Sequence, residues 1–259
     1  MDLGIAGRKA IVCASSRGLG RGCALALAQA KCEVVVNGRD AKTLERTAEE
    51  LRRASGVHII AVQADVATAE GQAALIEACP APDILVNNNA GPAFRDFRRL
   101  TRAEVIDGVI ANMVAAIELI QKVIDSMMAA RFGRIVNITS GSVKMPLAGL
   151  DLSSGARAGL TAFLAGVARS VAASNVTINF LLPGTFDTER LQSNIAANAK
   201  NKGLSIEQAK AERMATVPAR RFGDPDEFGA ACAFLCSAHA GYITGQSVLI
   251  DGGAFPGVM

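Results

Sequence analysis

Lys9-Ala10-Ile11-Val12-Cys13-Ala14-Ser15-Ser16-Arg17-Gly18-Leu19-Gly20 is the stretch that decides the fold. A short apolar run ends in a turn of small residues, and the turn opens directly into a helical pattern over 20–31 with a small-residue face. Strand, turn and helix in immediate succession bring backbone N–H groups and the positive end of a helix dipole to one point. Glycines in the turn let that backbone approach a pyrophosphate closely. Ser15, Ser16, Arg17, Gly18, Leu19 and Gly20 are therefore expected to cradle the phosphates of a dinucleotide.

The same rhythm extends outward from this stretch. Apolar, β-branched runs at 33–37, 58–62, 83–87, 134–138, 176–181 and 247–250 read as further strands. Most are apolar on both faces, as in a parallel sheet covered by helices on both sides. Helical patterns fall at 41–55, 103–130, 154–173 and 225–237, the second long enough for two helices and the last preceded by Asp224 as N-cap. Repeated βαβ units imply an α/β fold: one Rossmann-type doubly wound domain over 1–259, with a seven-stranded parallel sheet. Residues 185–217 break the rhythm. They are polar and helical, and they follow the sixth strand, where a substrate lid is expected.

Composition narrows the function. The chain has 259 residues, ample for one large core, with 50% hydrophobic and 20% charged residues. Its net charge of +3 is dispersed, unlike the basic stripe of a nucleic-acid binder. Cys13, Cys23, Cys32, Cys79, Cys232 and Cys236 follow no disulfide or metal-ligand spacing, so no metal is expected and a reducing, cytoplasmic setting is. No signal peptide is read at the start. The uncharged stretch 228–250 is long enough to span a bilayer, but its centre reads as a turn, so helix, loop and strand are expected there and no membrane span. His58 and His239 have no triad partners and are read as non-catalytic.

The end of the second strand selects between dinucleotides. An acid there usually binds the free ribose 2′-hydroxyl and would repel a 2′-phosphate. This chain has Asn37-Gly38-Arg39 instead, with Arg17 in the glycine turn. Two guanidinium groups with no acid between them suit a phosphate, so Asn37, Arg17 and Arg39 predict NADP(H).

Together these residues resemble the short-chain dehydrogenase/reductase family, most of all its ketoacyl-reductase and glucose-dehydrogenase types. The resemblance covers essentially the whole chain. It runs through the turn at 14–20, Asp65-Val66, the Asn-Asn-Ala-Gly-like segment at 87–91, Asn112, Asn137-Ile138-Thr139-Ser140, Pro183-Gly184, Tyr242-Ile243-Thr244-Gly245 and Asp251-Gly252-Gly253. It implies that Asp65 and Val66 contact the adenine and Asn87 the adenosine ribose. Phe186 and Thr188, just past Gly184, would hold the nicotinamide carboxamide. It also implies a homodimer or homotetramer. Ala14 stands where the family has its first glycine, and the run Asn87-Asn88-Asn89 has one asparagine more than the motif.

Family reductases work with Asn, Ser, Tyr and Lys: serine and tyrosine hold the carbonyl, tyrosine gives the proton, lysine binds the nicotinamide ribose, and asparagine holds a relay water. Asn112 and Ser140 match the first two. The Tyr-x-x-x-Lys pair is replaced, since Ser153 stands at the tyrosine position and Arg157 at the lysine position. The one tyrosine in the chain, Tyr242, is distant in sequence. A phenol ionises near pH ~10 and can be tuned toward neutrality, whereas an aliphatic hydroxyl is a far weaker acid. Arg157 can hold a ribose hydroxyl but is a fixed charge and a poor proton donor. Lys144 and Asp151 are other groups near the site, each also readable structurally, Lys144 as a loop charge and Asp151 as a helix cap or near-cap.

The leading reading is thus an NADP(H)-dependent oxidoreductase acting on a small-molecule carbonyl or alcohol with altered proton delivery. Its catalytic set would be Asn112, Ser140, Ser153, Arg157 and Lys144. The alternative is a non-redox protein on the same scaffold: a sensor, a silent subunit, or a lyase or isomerase. The lid mixes Asn194, Asn198, Lys200 and Glu207 with alanines and names no substrate.

Overall fold

A computed structural model describes residues 2–257. Seven parallel strands lie in the order β3-β2-β1-β4-β5-β6-β7. They are β1 (Lys9–Val12), β2 (Glu33–Gly38), β3 (Ile59–Gln63), β4 (Ile84–Asn87), β5 (Gly133–Ile138), β6 (Val176–Pro183) and β7 (Ser247–Ile250). Every expected strand is present, with ends displaced by at most two residues. Strand order reverses between β1 and β4, so their carboxyl ends splay apart into the crevice where doubly wound sheets take ligands.

Among the described residues nine α-helices connect the strands: α1 (Gly18–Gln29), α2 (Ala41–Ser55), α3 (Ala69–Ala78), α4 (Arg102–Val109), α5 (Ala115–Ala129), α6 (Asp151–Val171), α7 (Glu189–Lys202), α8 (Ile206–Ala215) and α9 (Pro225–Leu235). The period-two alternation of β1 shows how the core divides. Ala10 and Val12 face one layer with Leu27, Phe228 and Cys232, while Ile11 and Cys13 face the other with Leu119, Val123 and Leu164. The expected long helix 103–130 is two helices joined by a π-helical stretch, Ile110–Val114, which contains Asn112. Asp224 caps α9 in a capping box with Glu227. The apolar stretch 228–250 resolves into helix, turns and strand. No helix among the described residues is long and apolar enough to cross a membrane. All six cysteines are buried and free, and the described residues hold no metal-ligating cluster.

The segment 185–217 contributes α7 and α8, which share a small core of Ile195, Ala199, Ala209 and Phe222. Thr188 caps α7 through Leu191 N and touches the glycine turn, since its Cγ2 lies 3.6 Å from the point where a Cβ on Gly18 would stand.

Candidate active site

The glycine turn is held from four sides. Ser15 is fully buried; its hydroxyl donates to Val12 O at 2.6 Å and accepts from Asn37 N at 2.9 Å. Thr47 donates to Ser16 O at 2.7 Å, and Asn88 donates to Ala14 O at 3.2 Å. A Cβ on Gly20 would stand 2.4 Å from Ala14 O, so only glycine lets the helix start this close to the strand. Arg17, the N-cap of α1, gives no side-chain hydrogen bond to the first turn. The leading N–H groups of α1 therefore remain free to bind an anion at the β1/β4 crevice. This backbone cradle and its flanking cations fit a pyrophosphate. The groove between Ser16, Arg17, Gly18, Arg21, Thr47, Asp187 and Thr188 has a volume of about 440 Å³.

Several expected cofactor contacts take a different form. Asn37 is buried, accepts from Ala14 N, and donates to Val62 O and Ala64 O. Its side chain therefore ties β1, β2 and β3 together and has no polar atom left for a ribose phosphate. Its part in cofactor choice is the absence of a charge. Ser15 likewise braces the turn and does not present its hydroxyl to a phosphate. Asn87 turns into the sheet and donates to Asn137 Oδ1 at 3.0 Å. The ring of Phe186 is buried edge-on against Phe228, with centroids 5.3 Å apart, which leaves only its backbone for a carboxamide. Val66 is buried in the core beside Leu75 and also offers only backbone. Gly184 is packed against Asp251, whose Cα would lie 2.6 Å from an added Cβ.

The two arginines do sit at the crevice, exposed and paired. Arg17 lies 2.8 Å from Glu189 and Arg39 3.5 Å from Asp65, whose other oxygen accepts from Ala67 N. Exposed ion pairs of this kind are worth about 0–1 kcal/mol and exchange readily for a phosphate.

The catalytic corner forms at the carboxyl ends of β4 and β5. Ser140 ends the extended run after β5, and its oxygen accepts from Ser142 N at 3.1 Å and Ser142 Oγ at 2.9 Å. With both acceptances made, the Ser140 hydrogen is free to donate outward. Asn112 donates to Gly108 O at 3.1 Å, and its Oδ1 is buried without a partner. Next to it is a cavity of about 30 Å³, lined among others by Asn87, Asn89, Asn137 and Arg157. That is room for about one or two waters.

Ser153 and Arg157 are both buried on the first two turns of α6. Arg157 donates to Ile138 O at 2.8 Å, Thr139 O at 2.9 Å, Asn89 O at 3.4 Å and Ser153 Oγ at 3.3 Å. It is thus folded back to cap β5, where a ribose contact was expected. Burial and the nearby Arg190 push its guanidinium down to about 10, so it stays a cation at neutral pH. Lys144 is half-buried on the turn after Ser140. Asp151 is exposed at the first position of α6, next to the N-cap Leu150, in the near-cap place its structural reading allowed.

Two side chains at this corner were not read from the sequence as site residues. Asn89, the extra asparagine, donates to Ala111 O and braces the π-helical stretch beside Asn112. Arg190 reaches from α7 to Pro92 O at 3.3 Å and stands beside Arg157. Its signal was its place two residues after Thr188, at the start of α7.

A family model described as enoyl-(acyl carrier protein) reductase matches residues 13–254. The chain belongs to the short-chain dehydrogenase/reductase family. It is 29% identical to the NADPH-dependent reductase BacG of Bacillus subtilis, over 97% of this chain and 99% of that protein. It is 32% identical to the 3-oxoacyl-(acyl-carrier-protein) reductase FabG of Vibrio cholerae, over 98% and 99%. The structure of L-sorbose reductase from Gluconobacter frateurii, complexed with NADPH and L-sorbose, superposes with a TM-score of 0.95 at 27% identity, covering both chains fully. A variant of actinorhodin polyketide ketoreductase with NADPH gives 0.89 at 27% identity, over 96% and 97%.

Proposed function

We propose that this chain is an NADP(H)-dependent reductase of carbonyl compounds in which water, and not a phenol, delivers the proton. The observation that carries this reading is the intact cradle, with the free N-terminus of α1 at the sheet's reversal and Ser140 and Asn112 kept at the catalytic corner. Relatives named as NADPH-dependent reductases support it. The N–H groups of the glycine turn, Arg17, Arg39, Asp65 and Thr188 would hold the dinucleotide, and when bound the nicotinamide supplies the hydride.

The remaining work falls to side chains. Ser140 donates its free hydrogen to the substrate oxygen as negative charge develops there. Arg157 adds a fixed positive field from a buried position, where charge acts more strongly than in water. Water in the cavity beside Asn112 Oδ1 gives its proton to the alkoxide, and solvent restores that proton. Ser153 accepts from Arg157 and positions it. The whole chain acts as one domain with 185–217 as the substrate lid. Exposed Phe97, Ile106 and Phe163 on and around α4 and α6 support assembly as a homodimer or homotetramer, with the cytoplasm as its compartment.

NADPH oxidation followed against a panel of ketones, quinones and imines tests the reading, and no consumption with any of them would overturn it. Lys144→Ala separates two proton routes. Retained turnover is expected and fits delivery by water. Lost turnover with unchanged NADPH affinity would move the proton to Lys144.

A further inference from the structure

The corner that replaces the tyrosine and lysine is unusual in its charge. Arg157 Nη2, Arg190 Nη1 and Ser153 Oγ each lie 3.4 Å from one point, the position a Cβ on Gly91 would take. A guanidinium carries five N–H groups. Arg157 uses four, toward Ile138 O, Thr139 O, Asn89 O and Ser153 Oγ. The fifth is on Nη2, the nitrogen that faces Arg190. Arg190 uses one, toward Pro92 O. Ser153 accepts from Arg157 and keeps its own hydrogen. Three sets of free donors thus meet at one place.

No carboxylate among the described residues answers them. Neither arginine forms an ion pair among the described residues, and the charged neighbour that acts on Arg157 is Arg190, a like charge. The other buried arginine of the chain shows the contrast. Arg134 is also bonded to backbone carbonyls and also has a cation near it, Arg8, but Arg8 is paired with Asp83 at 2.7 Å. That pair is closed, whereas the pair at the catalytic corner is open. A neutral ketone needs one donor, and two guanidiniums with a hydroxyl between them match the planar, two-oxygen geometry of a carboxylate.

We propose that Arg157 and Arg190, with Ser153, form a carboxylate site, and that the substrate is an oxo acid whose carboxylate lies a few bonds from the carbonyl. This deepens the reductase reading and rests on it for the reaction, though not for the binding. Arg190 comes from the lid, so seating the carboxylate would also draw α7 over the substrate. The reaction balances as before: hydride to the carbonyl carbon, proton to its oxygen, and the carboxylate unchanged.

The test pairs 2-oxo and 3-oxo acids with their methyl esters as substrates for NADPH oxidation, and adds oxamate as a carboxylate that cannot be reduced. The acids are expected to exceed their esters at least 100-fold in kcat/KM, and oxamate to raise the melting temperature. Arg190 is exposed, so Arg190→Ala leaves the core intact. It should lower kcat/KM for the acids at least tenfold more than for the esters and abolish the oxamate shift, with Arg190→Lys restoring part of both. Equal use of acid and ester, with no oxamate shift, would overturn the carboxylate site while leaving the reductase reading standing. An oxamate shift lost in Arg190→Ala, without turnover of any substrate, would keep the site and sink the reductase reading. If Arg190→Ala instead weakens NADPH binding in the absence of oxo acid, the anion served is the cofactor's own phosphate and the proposal fails.

Discussion

The two ends of the crevice have diverged from their family in different ways. At the glycine turn, binding rests on backbone: the free N–H groups of α1, the closeness enforced at Gly20, and braces from Ser15, Thr47 and Asn88. Substituting Ala14 for a glycine leaves that geometry in place. At the carboxyl end of β5, the proposed function rests on side chains, where a buried hydroxyl, Ser153, and a buried cation, Arg157, stand at the positions that the family resemblance gives to a titratable pair. A site built from backbone tolerates exchange of residues, while one built from side chains changes its chemistry with each. The cofactor end should therefore behave as its relatives do, and the catalytic end should not.

The largest effect should come from reversing the catalytic exchange. Ser153→Tyr with Arg157→Lys restores a tunable acid and its neighbouring cation. General-acid catalysis contributes ~10²–10⁴-fold, and a gain of that order is expected in NADPH oxidation with activated ketones. The ring must enter a corner where Ser153 is buried, so the double variant has to be shown folded and able to bind NADPH before its rate is read. A folded variant that gains nothing would mean that the pocket as well as the acid has changed, and the contrast between the two ends would deepen. Loss of oxo-acid preference in the same variant would tie the Ser153 and Arg157 pair to the carboxylate.

The intermediate effect belongs to the cofactor end. NADPH should bind at least tenfold more tightly than NADH, a difference of about 1.4 kcal/mol. Arg39→Ala should remove most of that preference with little change for NADH. Arg39 meets Asp65 at 3.5 Å and is largely exposed, so releasing that pair costs little against a phosphate contact. Fluorescence titration with both dinucleotides decides the matter. Equal wild-type affinities would break the comparison at its conservative end.

How far each end was legible in the sequence follows the same division. Backbone requirements leave marks in spacing, so the turn at 14–20 and the alternation of strands and helices announced the sheet. The helix α3 was missed because Gly71 and its neighbouring alanines give it little amphipathic pattern, although Thr68 caps it and Glu70 lies in its first turn. Side-chain direction leaves no such mark. A residue at a strand end can point into the crevice or into the sheet, and Asn37 and Asn87 both point inward. The exchange to Ser153 and Arg157 was visible as a departure. That Arg157 would fold back onto the β5 carbonyls, and meet Arg190 from α7, depends on contacts between segments far apart in the chain.

The smallest effect tests whether the cofactor end has drifted at all. Ala14 sits at φ +45°, in the left-handed region, where a side chain costs ~1–2 kcal/mol relative to glycine. The conformation is imposed from outside: Ala14 N donates to Asn37 Oδ1 at 3.0 Å, and Ala14 O accepts from Asn88 at 3.2 Å while facing the bare Cα of Gly20. Ala14→Gly removes the steric cost but gives the unfolded chain more freedom, worth ~0.5–1 kcal/mol in the other direction. A net stabilisation of about 0.5–1 kcal/mol is expected, or ~1–4 °C in Tm for a chain of this size. NADPH affinity should not change, because the phosphate-facing N–H groups keep their places. That result would make the alanine a cost in stability alone, unlike the exchange at 153 and 157, which alters chemistry. A fall in Tm would mean that the braces around Ala14 have relaxed to suit it. A rise in NADPH affinity of tenfold or more would mean that the turn had been distorted after all, and the division between a conserved cofactor end and a diverged catalytic end would no longer hold.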